Sequence, residues 1–233
     1  MKTLDEIGLE HKTDKSSLNH HYLSLYELLF EKWRLKNINI LEIGIQFGCS
    51  MKTWEEYFPY ATVTGIDSID NNFQKTDRIS LKIGEAYCKD TVNQLGVRFQ
   101  IIIDDGSHFP YDQMMFVRLY LPLLTEDGLL IVEDVPTREI IAVLANELPD
   151  GYTYTALEMP LGQSIVDSRV FIAWKRNAIS TRQQFEQKLE EVLQRNASRP
   201  FHPPEPHPQH QSVVSGSCQS DSPEPAHSNL SPS

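Results

Sequence analysis

The chain has 233 residues, few cysteines and no long apolar run. Its three cysteines, Cys49, Cys88 and Cys218, are odd in number and widely spaced, which favours neither a disulfide framework nor a zinc site. No stretch reaches the roughly 18 apolar residues of a membrane span, and the first residues lack the apolar centre of a signal peptide. We therefore expect a protein of the reducing cytoplasm that has no membrane partner.

Positive charge is also scarce. The 21 basic and 32 acidic residues give a formal net charge of −11, and no basic face carries interleaved aromatic residues. A nucleic-acid partner is therefore not expected, because phosphate binding depends on clustered lysine and arginine. The Gly-x-Gly-x-x-Gly fingerprint of dinucleotide binding is absent as well. A homo-oligomer is left open.

Composition and patterning divide the chain into four parts. Residues 1–36 contain aromatic residues at helical spacing and predict an amino-terminal helical cap segment. Residues 37–178 alternate apolar strands with helices, and residues 179–198 predict a further charged helix. Residues 199–233 hold 8 of the 14 prolines and 8 serines. We expect this last part to be a disordered tail, since it has little apolar surface to bury.

The alternation within 37–178 predicts the fold class. Apolar runs separated by helical patterns are typical of a doubly wound α/β sheet that is mostly parallel. The final two predicted strands, 152–158 and 170–174, have no long helix between them. They predict an antiparallel hairpin at the carboxy-terminal edge.

Two of the predicted strands end in acidic residues. The run 99–103 leads directly into Asp104, Asp105 and, three residues later, His108, and the run 129–132 leads into Glu133 and Asp134. Ligands of open α/β sheets collect beyond the carboxyl ends of strands. If the two strands are neighbours, these carboxylates and the imidazole share one site.

A glycine-containing turn follows the first predicted strand. Glu42 and Gly44 end that strand, Ser50 is placed to cap the next helix, and Asp67 ends the second strand. The glycine exposes backbone to a ligand, and the acid is placed to accept hydrogen bonds from two ribose hydroxyls. Together they favour a nucleoside-type cofactor, although structural turns of this kind are common.

Several motifs resemble a known family. Leu41-Glu42-Ile43-Gly44, Thr13-Asp14-Lys15, His20-x-Tyr22-x-x-x-Tyr26, Asp104-Asp105-Gly106-Ser107-His108 and Glu133-Asp134 occur together. They resemble class I S-adenosylmethionine-dependent methyltransferases with a Rossmann-like sheet. More narrowly, they resemble the metal-dependent sugar O-methyltransferases of macrolide biosynthesis, of the mycinamicin and tylosin type.

The resemblance implies a role for particular residues. It implies Mg²⁺ (or Mn²⁺) ligands at Asp105, Glu133 and Asp134, with His108 as the general base. It implies a pocket for S-adenosylmethionine whose residues are Glu42, Gly44, Ser50 and Asp67, with Tyr22 nearby. We also expect Glu85 to belong to this pocket, and Asp104 to contact the substrate or the cofactor rather than the metal. Two positions depart from the family pattern, because Lys12 and Glu85 stand where glycine and aspartate are usual.

The chemistry of these residues agrees with the resemblance. Carboxylate oxygens suit a hard cation such as Mg²⁺, and an imidazole near neutrality can remove a proton from a hydroxyl. We therefore expect methyl transfer to a hydroxyl of a sugar or glycosylated metabolite, with acceptor specificity in residues 1–20 and 160–168. His108 as a helix cap and Glu133-Asp134 as a simple strand end stay open. So do a non-catalytic binding module and a hydroxylase-like relative.

Overall fold

The computed structural model describes residues 1–159 and 169–177, together with Gln187. The described residues fall within a compact unit, Met1–Ser198. The predicted specificity segment 160–168 and the predicted tail 199–233 lie outside the described residues, and so does the predicted helix 179–198 apart from Gln187. Along the part of the chain that is described, no helix has the length and apolar character to cross a membrane.

A seven-stranded sheet forms the centre of the molecule. Its strands are β1 Asn39–Ile43, β2 Thr62–Asp67, β3 Ile79–Ile83, β4 Phe99–Asp104, β5 Leu124–Val132, β6 Tyr152–Glu158 and β7 Arg169–Lys175. The order is β3-β2-β1-β4-β5-β7-β6, with β7 antiparallel to both of its neighbours and the remaining pairs parallel. The predicted fold class, including the antiparallel hairpin at one edge, is confirmed.

Helices cover both faces of the sheet. They are α1 Leu4–His11, α2 Tyr22–Phe30, α3 Cys49–Tyr57, α4 Lys89–Asn93, α5 Pro110–Tyr120 and α6 Arg138–Asn146. Apolar residues of α1, α2 and α3 pack on one face, and those of α5 and α6 on the other. The alternating side chains of β1 and β4 are buried on both faces, as expected of central parallel strands.

The amino-terminal part contains one helix that the sequence pattern did not reveal. Helix α1 has only eight residues, so its apolar period is too short to detect, but a capping box between Thr3 and Glu6 defines its start. Helix α2 is followed by a 3₁₀ turn, Glu31–Trp33. Helix α2 begins after His21, whose backbone is left-handed with φ 65°.

The expected cap of α3 is wrong. The helix begins at Cys49, and its N-cap is Gly48, a residue with a φ of 75° and no side chain to offer. Ser50 consequently lies inside the first turn. Its side chain lies close to the buried carboxylate of Glu42 and opposes the rise in the pKa of Glu42 that burial causes.

Candidate active site

The turn between β1 and α3 forms one wall of a cavity. Gly44 there has a φ of 80°, and a Cβ at this position would lie 2.0 Å from the carbonyl oxygen of Asp105. Only glycine accepts both the left-handed backbone and the close approach. The amide of Asp105 donates to the carbonyl of Ile43, at 2.9 Å, so the turn and the end of β4 are held together.

Asp67, at the end of β2, braces the same turn. Its Oδ2 accepts hydrogen bonds from the amides of Ile45, at 2.8 Å, and Gln46, at 2.9 Å, while Oδ1 accepts from Ile69 at 3.0 Å. Burial tends to raise the pKa of Asp67, but these amide bonds outweigh it and hold the pKa below its usual value. The carboxylate still borders the cavity and retains lone pairs for a ligand.

The cavity has a volume of about 730 Å³ and extends from this turn to the ends of β4 and β5. Among the predicted cofactor residues, Gly44, Ser50, Asp67 and Glu85 line it. Glu42, Asp104 and Tyr22 are buried behind its wall and are not part of the described lining. The predicted cofactor residues therefore form two groups, four that line the cavity and three that are buried outside its lining.

Asp105, His108 and Asp134 also line the cavity and form a cluster there. One potential ligand atom from each lies within 4.8 Å of the other two. The imidazole Nε2 of His108 lies 3.2 Å from Oδ1 of Asp105 and 3.6 Å from Oδ2 of Asp134. Strands β4 and β5 are neighbours, as expected, and their ends bring Asp105, His108 and Asp134 together. The other two acids, Asp104 and Glu133, are not part of the cavity lining.

Backbone conformation at this cluster is unusual. His108 and Asp134 have φ values of 57° and 51°, in the left-handed region that few residues other than glycine adopt. Such strain persists only where surrounding contacts enforce it, and it concentrates at functional sites. His108 does not cap α5, because the N-cap residue is Phe109 and it makes no side-chain cap bond.

Glu133 is placed differently from its neighbour Asp134. Its side chain is fully buried, with Oε2 accepting from Nζ of Lys15 at 2.6 Å and Oε1 accepting from the hydroxyl of Tyr26 at 2.7 Å. It is outside the described cavity lining. Asp134 in turn accepts from the hydroxyl of Tyr22, at 2.5 Å.

Electrostatic effects differ among these acids. Burial raises the pKa of Asp104 to about 7, and burial also raises the pKa values of Glu133 and Asp134. For Asp105, the nearby Lys15 ammonium and the His108 imidazole outweigh burial and hold the pKa below its usual value. The pKa of His108 is raised chiefly by its hydrogen bond to Asp105. The site therefore favours a carboxylate at Asp105, and the raised pKa makes the unprotonated imidazole of His108 a stronger proton acceptor.

Further residues support the site although no role for them was predicted. Lys15 and Tyr26 belong to recognisable motifs, but nothing in their pattern indicates that they contact Glu133. The buried side chain of Gln113 in α5 donates to the carbonyl oxygens of Glu133, at 3.0 Å, and Asp134, at 3.4 Å. Tyr87 donates to Asp104 at 2.9 Å. A single polar residue on the apolar face of α5 is the only sequence signal for Gln113.

Known proteins resemble the chain in sequence and in structure. No protein-family model matches it. It is 30% identical over 145 residues to a tetracenomycin-type rhamnosyl 3'-O-methyltransferase of Streptomyces olivaceus, covering 58% of this chain and 37% of that protein. It is 28% identical over 145 residues to mycinamicin VI 2''-O-methyltransferase of Micromonospora griseorubida, covering 58% and 36%.

The structural comparison agrees. The MycE methyltransferase of mycinamycin biosynthesis, solved with Mg and SAH, superposes with a TM-score of 0.55 and 25% identity over 57% of this chain and 39% of that chain. The chain thus spans less than half the length of these two curated relatives and of MycE. The resemblance that its motifs predict, to class I methyltransferases and among them to the sugar O-methyltransferases of macrolide biosynthesis, is confirmed.

Proposed function

We propose that the chain is an S-adenosylmethionine-dependent O-methyltransferase that requires a divalent metal and acts on a hydroxyl of a sugar or glycosylated metabolite. The observation that carries the proposal is a cavity lined both by the glycine turn with Asp67 and by the cluster Asp105, His108 and Asp134. A methyl donor and a hydroxyl acceptor can meet there.

The acidic cluster fits Mg²⁺ or Mn²⁺. Asp105 and Asp134 line the cavity, and the buried Glu133 shares the ammonium of Lys15 with Asp105. These three residues would hold the metal, because hard oxygen ligands suit these cations. A bound divalent cation supplies Lewis acidity that makes an acceptor hydroxyl easier to deprotonate.

In this proposal His108 takes the proton. Unprotonated Nε2 accepts it from the acceptor hydroxyl while the oxygen–methyl bond forms and the sulfur–methyl bond of the donor breaks. Asp105 and Asp134, at 3.2 and 3.6 Å from Nε2, stabilise the imidazolium that results. Their contacts also fix the orientation of the ring.

Some of the predicted cofactor residues would contact the cofactor, and the others would support them. Gly44, Ser50, Asp67 and Glu85 border the cavity and would contact S-adenosylmethionine. Behind them, Glu42 accepts a hydrogen bond from the indole of Trp54, at 2.8 Å, and supports the turn. Asp104 and Tyr22 would act from the same buried shell.

The acceptor class follows the relatives. The relatives are named for methyl transfer to rhamnosyl tetracenomycin and mycinamicin VI, and MycE was solved with mycinamycin VI. For this chain, a polyhydroxylated small molecule or glycan is the proposed partner. A cytoplasmic location and any homo-oligomeric state stay predictions of the sequence.

Two measurements test the proposal. Calorimetry with purified protein should detect S-adenosylmethionine binding, and its absence would overturn the assignment. Mass spectrometry over a panel of sugars and glycosides should show a gain of one methyl group that EDTA abolishes. Turnover that instead needed iron and 2-oxoglutarate would favour the hydroxylase-like alternative, and binding without turnover would favour the non-catalytic one.

The variants His108→Ala and Asp134→Asn distinguish the loss of the proton acceptor from the loss of a metal ligand. Loss of the base should slow turnover by roughly 10²–10⁴-fold, and added Mg²⁺ should not restore it. Asp134→Asn should instead weaken metal binding, so that high Mg²⁺ recovers part of the rate. The matched control is His11→Ala, because the ring of His11 contacts Glu56 on the surface, away from the site. Near-normal turnover of His108→Ala at saturating metal would refute its role as the base.

A further inference from the structure

A fully buried lysine lies beneath the acidic site. The side chain of Lys15 is 1% exposed, and its ammonium contacts Oδ2 of Asp105, Oε2 of Glu133 at 2.6 Å and Oε1 of Glu42 at 3.3 Å. Lysine is almost never fully buried unless it is paired. The proposed reaction gives this side chain no chemical step.

The three carboxylates come from three adjacent strands. Glu42 lies in β1, Asp105 directly follows β4 and Glu133 directly follows β5, and the sheet order places β1, β4 and β5 side by side. Lys15 arrives from the segment between α1 and α2, so one side chain of the amino-terminal part links all three strand ends. Without that cation, buried carboxylates would face one another unpaired, which is strongly destabilising.

Lys15 and the cavity use different atoms of the same acids. Oδ1 of Asp105 faces His108 in the cavity, whereas Oδ2 faces Lys15. Both oxygens of Glu133 are bonded, to Lys15 and to Tyr26. A metal that took Glu133 as a ligand would therefore share this carboxylate with the ammonium, and two cations would lie close together.

We propose that Lys15 is an internal counter-cation and positioning residue. It holds the acidic site together when no divalent metal is bound, and its positive charge lowers the affinity of the site for that metal. The proposal rests on the metal dependence of the proposed function. The charge of Lys15 therefore has two opposite effects. Removing it should destabilise the metal-free fold but strengthen the attraction between the acids and a divalent cation.

The test compares Lys15→Met with Lys36→Met, a matched control at an exposed lysine. Thermal midpoints are measured in EDTA and in Mg²⁺, and Mg²⁺ affinity is measured by calorimetry. Lys15→Met should have a lower midpoint in EDTA, a larger rise on adding Mg²⁺ and a Kd lower by roughly tenfold, the direction set by the loss of one nearby positive charge. Lys36→Met should match the natural chain in all three.

A second variant keeps the test decisive if Lys15→Met does not fold. Lys15→Met/Glu133→Gln also removes one of the three carboxylate charges that the ammonium offsets, so less unpaired negative charge stays buried. This double variant should recover a midpoint in EDTA that Lys15→Met alone lacks. Failure of both variants to fold, in EDTA and in Mg²⁺ alike, would overturn the counter-cation role.

The outcomes distinguish the two proposals. A natural chain that binds S-adenosylmethionine but gives no Mg²⁺ signal would remove the metal dependence, and this inference with it. A natural chain that binds Mg²⁺, beside a folded Lys15→Met that binds it equally or more weakly, would overturn the inference about Lys15 alone. In that case the lysine would only organise the ligands.

Discussion

At the scale of single residues, Gly44 shows how closely backbone segments meet beneath the site. Gly44→Ala combines a left-handed φ with a Cβ 2.0 Å from the Asp105 carbonyl oxygen. We expect it to lower the free energy of unfolding by about 1–3 kcal/mol more than strain alone does, because the site must also shift to make room. Denaturant unfolding and S-adenosylmethionine calorimetry measure both effects.

Gly96→Ala is the matched control for that substitution. Gly96 has a φ of 65°, but a Cβ at this position would meet nothing within 4 Å, so the substitution isolates the cost of backbone strain. If the two variants were equally destabilised and Gly44→Ala bound the cofactor normally, the contact between a Cβ at position 44 and the Asp105 carbonyl would not contribute to the loss of stability.

Gln113 is a second residue whose effect is local and measurable. Gln113→Met preserves the size of the side chain but removes the donor to the carbonyls of Glu133 and Asp134. Leaving buried acceptors unpaired should cost about 1–3 kcal/mol in unfolding free energy. Because those carbonyls hold the turn with the acidic pair, Mg²⁺ affinity should fall as well.

The exposed Gln94 offers a control for Gln113. Gln94→Met should stay within about 0.5 kcal/mol of the natural chain, as is usual for surface substitutions. An unaltered Mg²⁺ affinity in Gln113→Met would mean that the turn keeps its geometry without this side chain.

At the scale of elements, Asp67 links the end of β2 to the turn between β1 and α3. Its pKa is lower in the folded chain than its usual value. A group of this kind stabilises the fold above its unfolded pKa of about 3.9, and the contribution disappears as the pH falls through the lower folded value. Asp67→Asn should therefore be less stable than the natural chain at neutral pH, and the gap should narrow in acid.

Thermal midpoints between about pH 7 and about pH 2 measure that gap, since this range extends from well above the unfolded pKa to well below it. Asp77→Asn, at an exposed position, controls for the general loss of one negative charge. A gap for Asp67→Asn that stays constant over this range would mean that the amide bonds do not depend on the charge of Asp67.

At the scale of the whole molecule, the amino-terminal segment contributes to the main core. Leu4 and Ile7 of α1 are buried in the same apolar cluster as residues of α2, α3 and the sheet. Ile7→Ala should therefore lower the stability of the entire unit by about 2–5 kcal/mol in a single transition. Leu18→Ala, at a side chain that is 68% exposed, should have little effect.

Circular dichroism and tryptophan fluorescence during denaturation provide two probes for this comparison. Coincident transitions in Ile7→Ala would indicate one cooperative unit. A separate early transition in Ile7→Ala, or an unchanged midpoint, would show that residues 1–36 form a cap that unfolds independently of the sheet.

Much of the fold could be predicted from local pattern. Apolar runs such as 99–103 and 129–132 are long enough to indicate buried strands. The sequence between the last two predicted strands has no long helical pattern, which indicates the hairpin. Helix α1 was not predicted, because eight residues hold barely two turns of apolar period. The sequence favours Ser50 as the cap of α3, but Gly48 occupies that position. Serine and glycine are both accepted at helix N-caps, so the residue types alone do not decide between the two positions.

The sequence by itself determined which chemical groups the site contains, because the strand ends, the acidic residues, His108 and the glycine turn are contiguous motifs. Only the tertiary structure decided which of them face the cavity. Asp134 borders the cavity whereas its neighbour Glu133 is turned to Lys15 and Tyr26, more than a hundred residues away in the chain. Contacts between residues so far apart in the chain depend on how helices and strands pack together. The spacing of apolar residues predicts the elements but not which side chains of different elements meet.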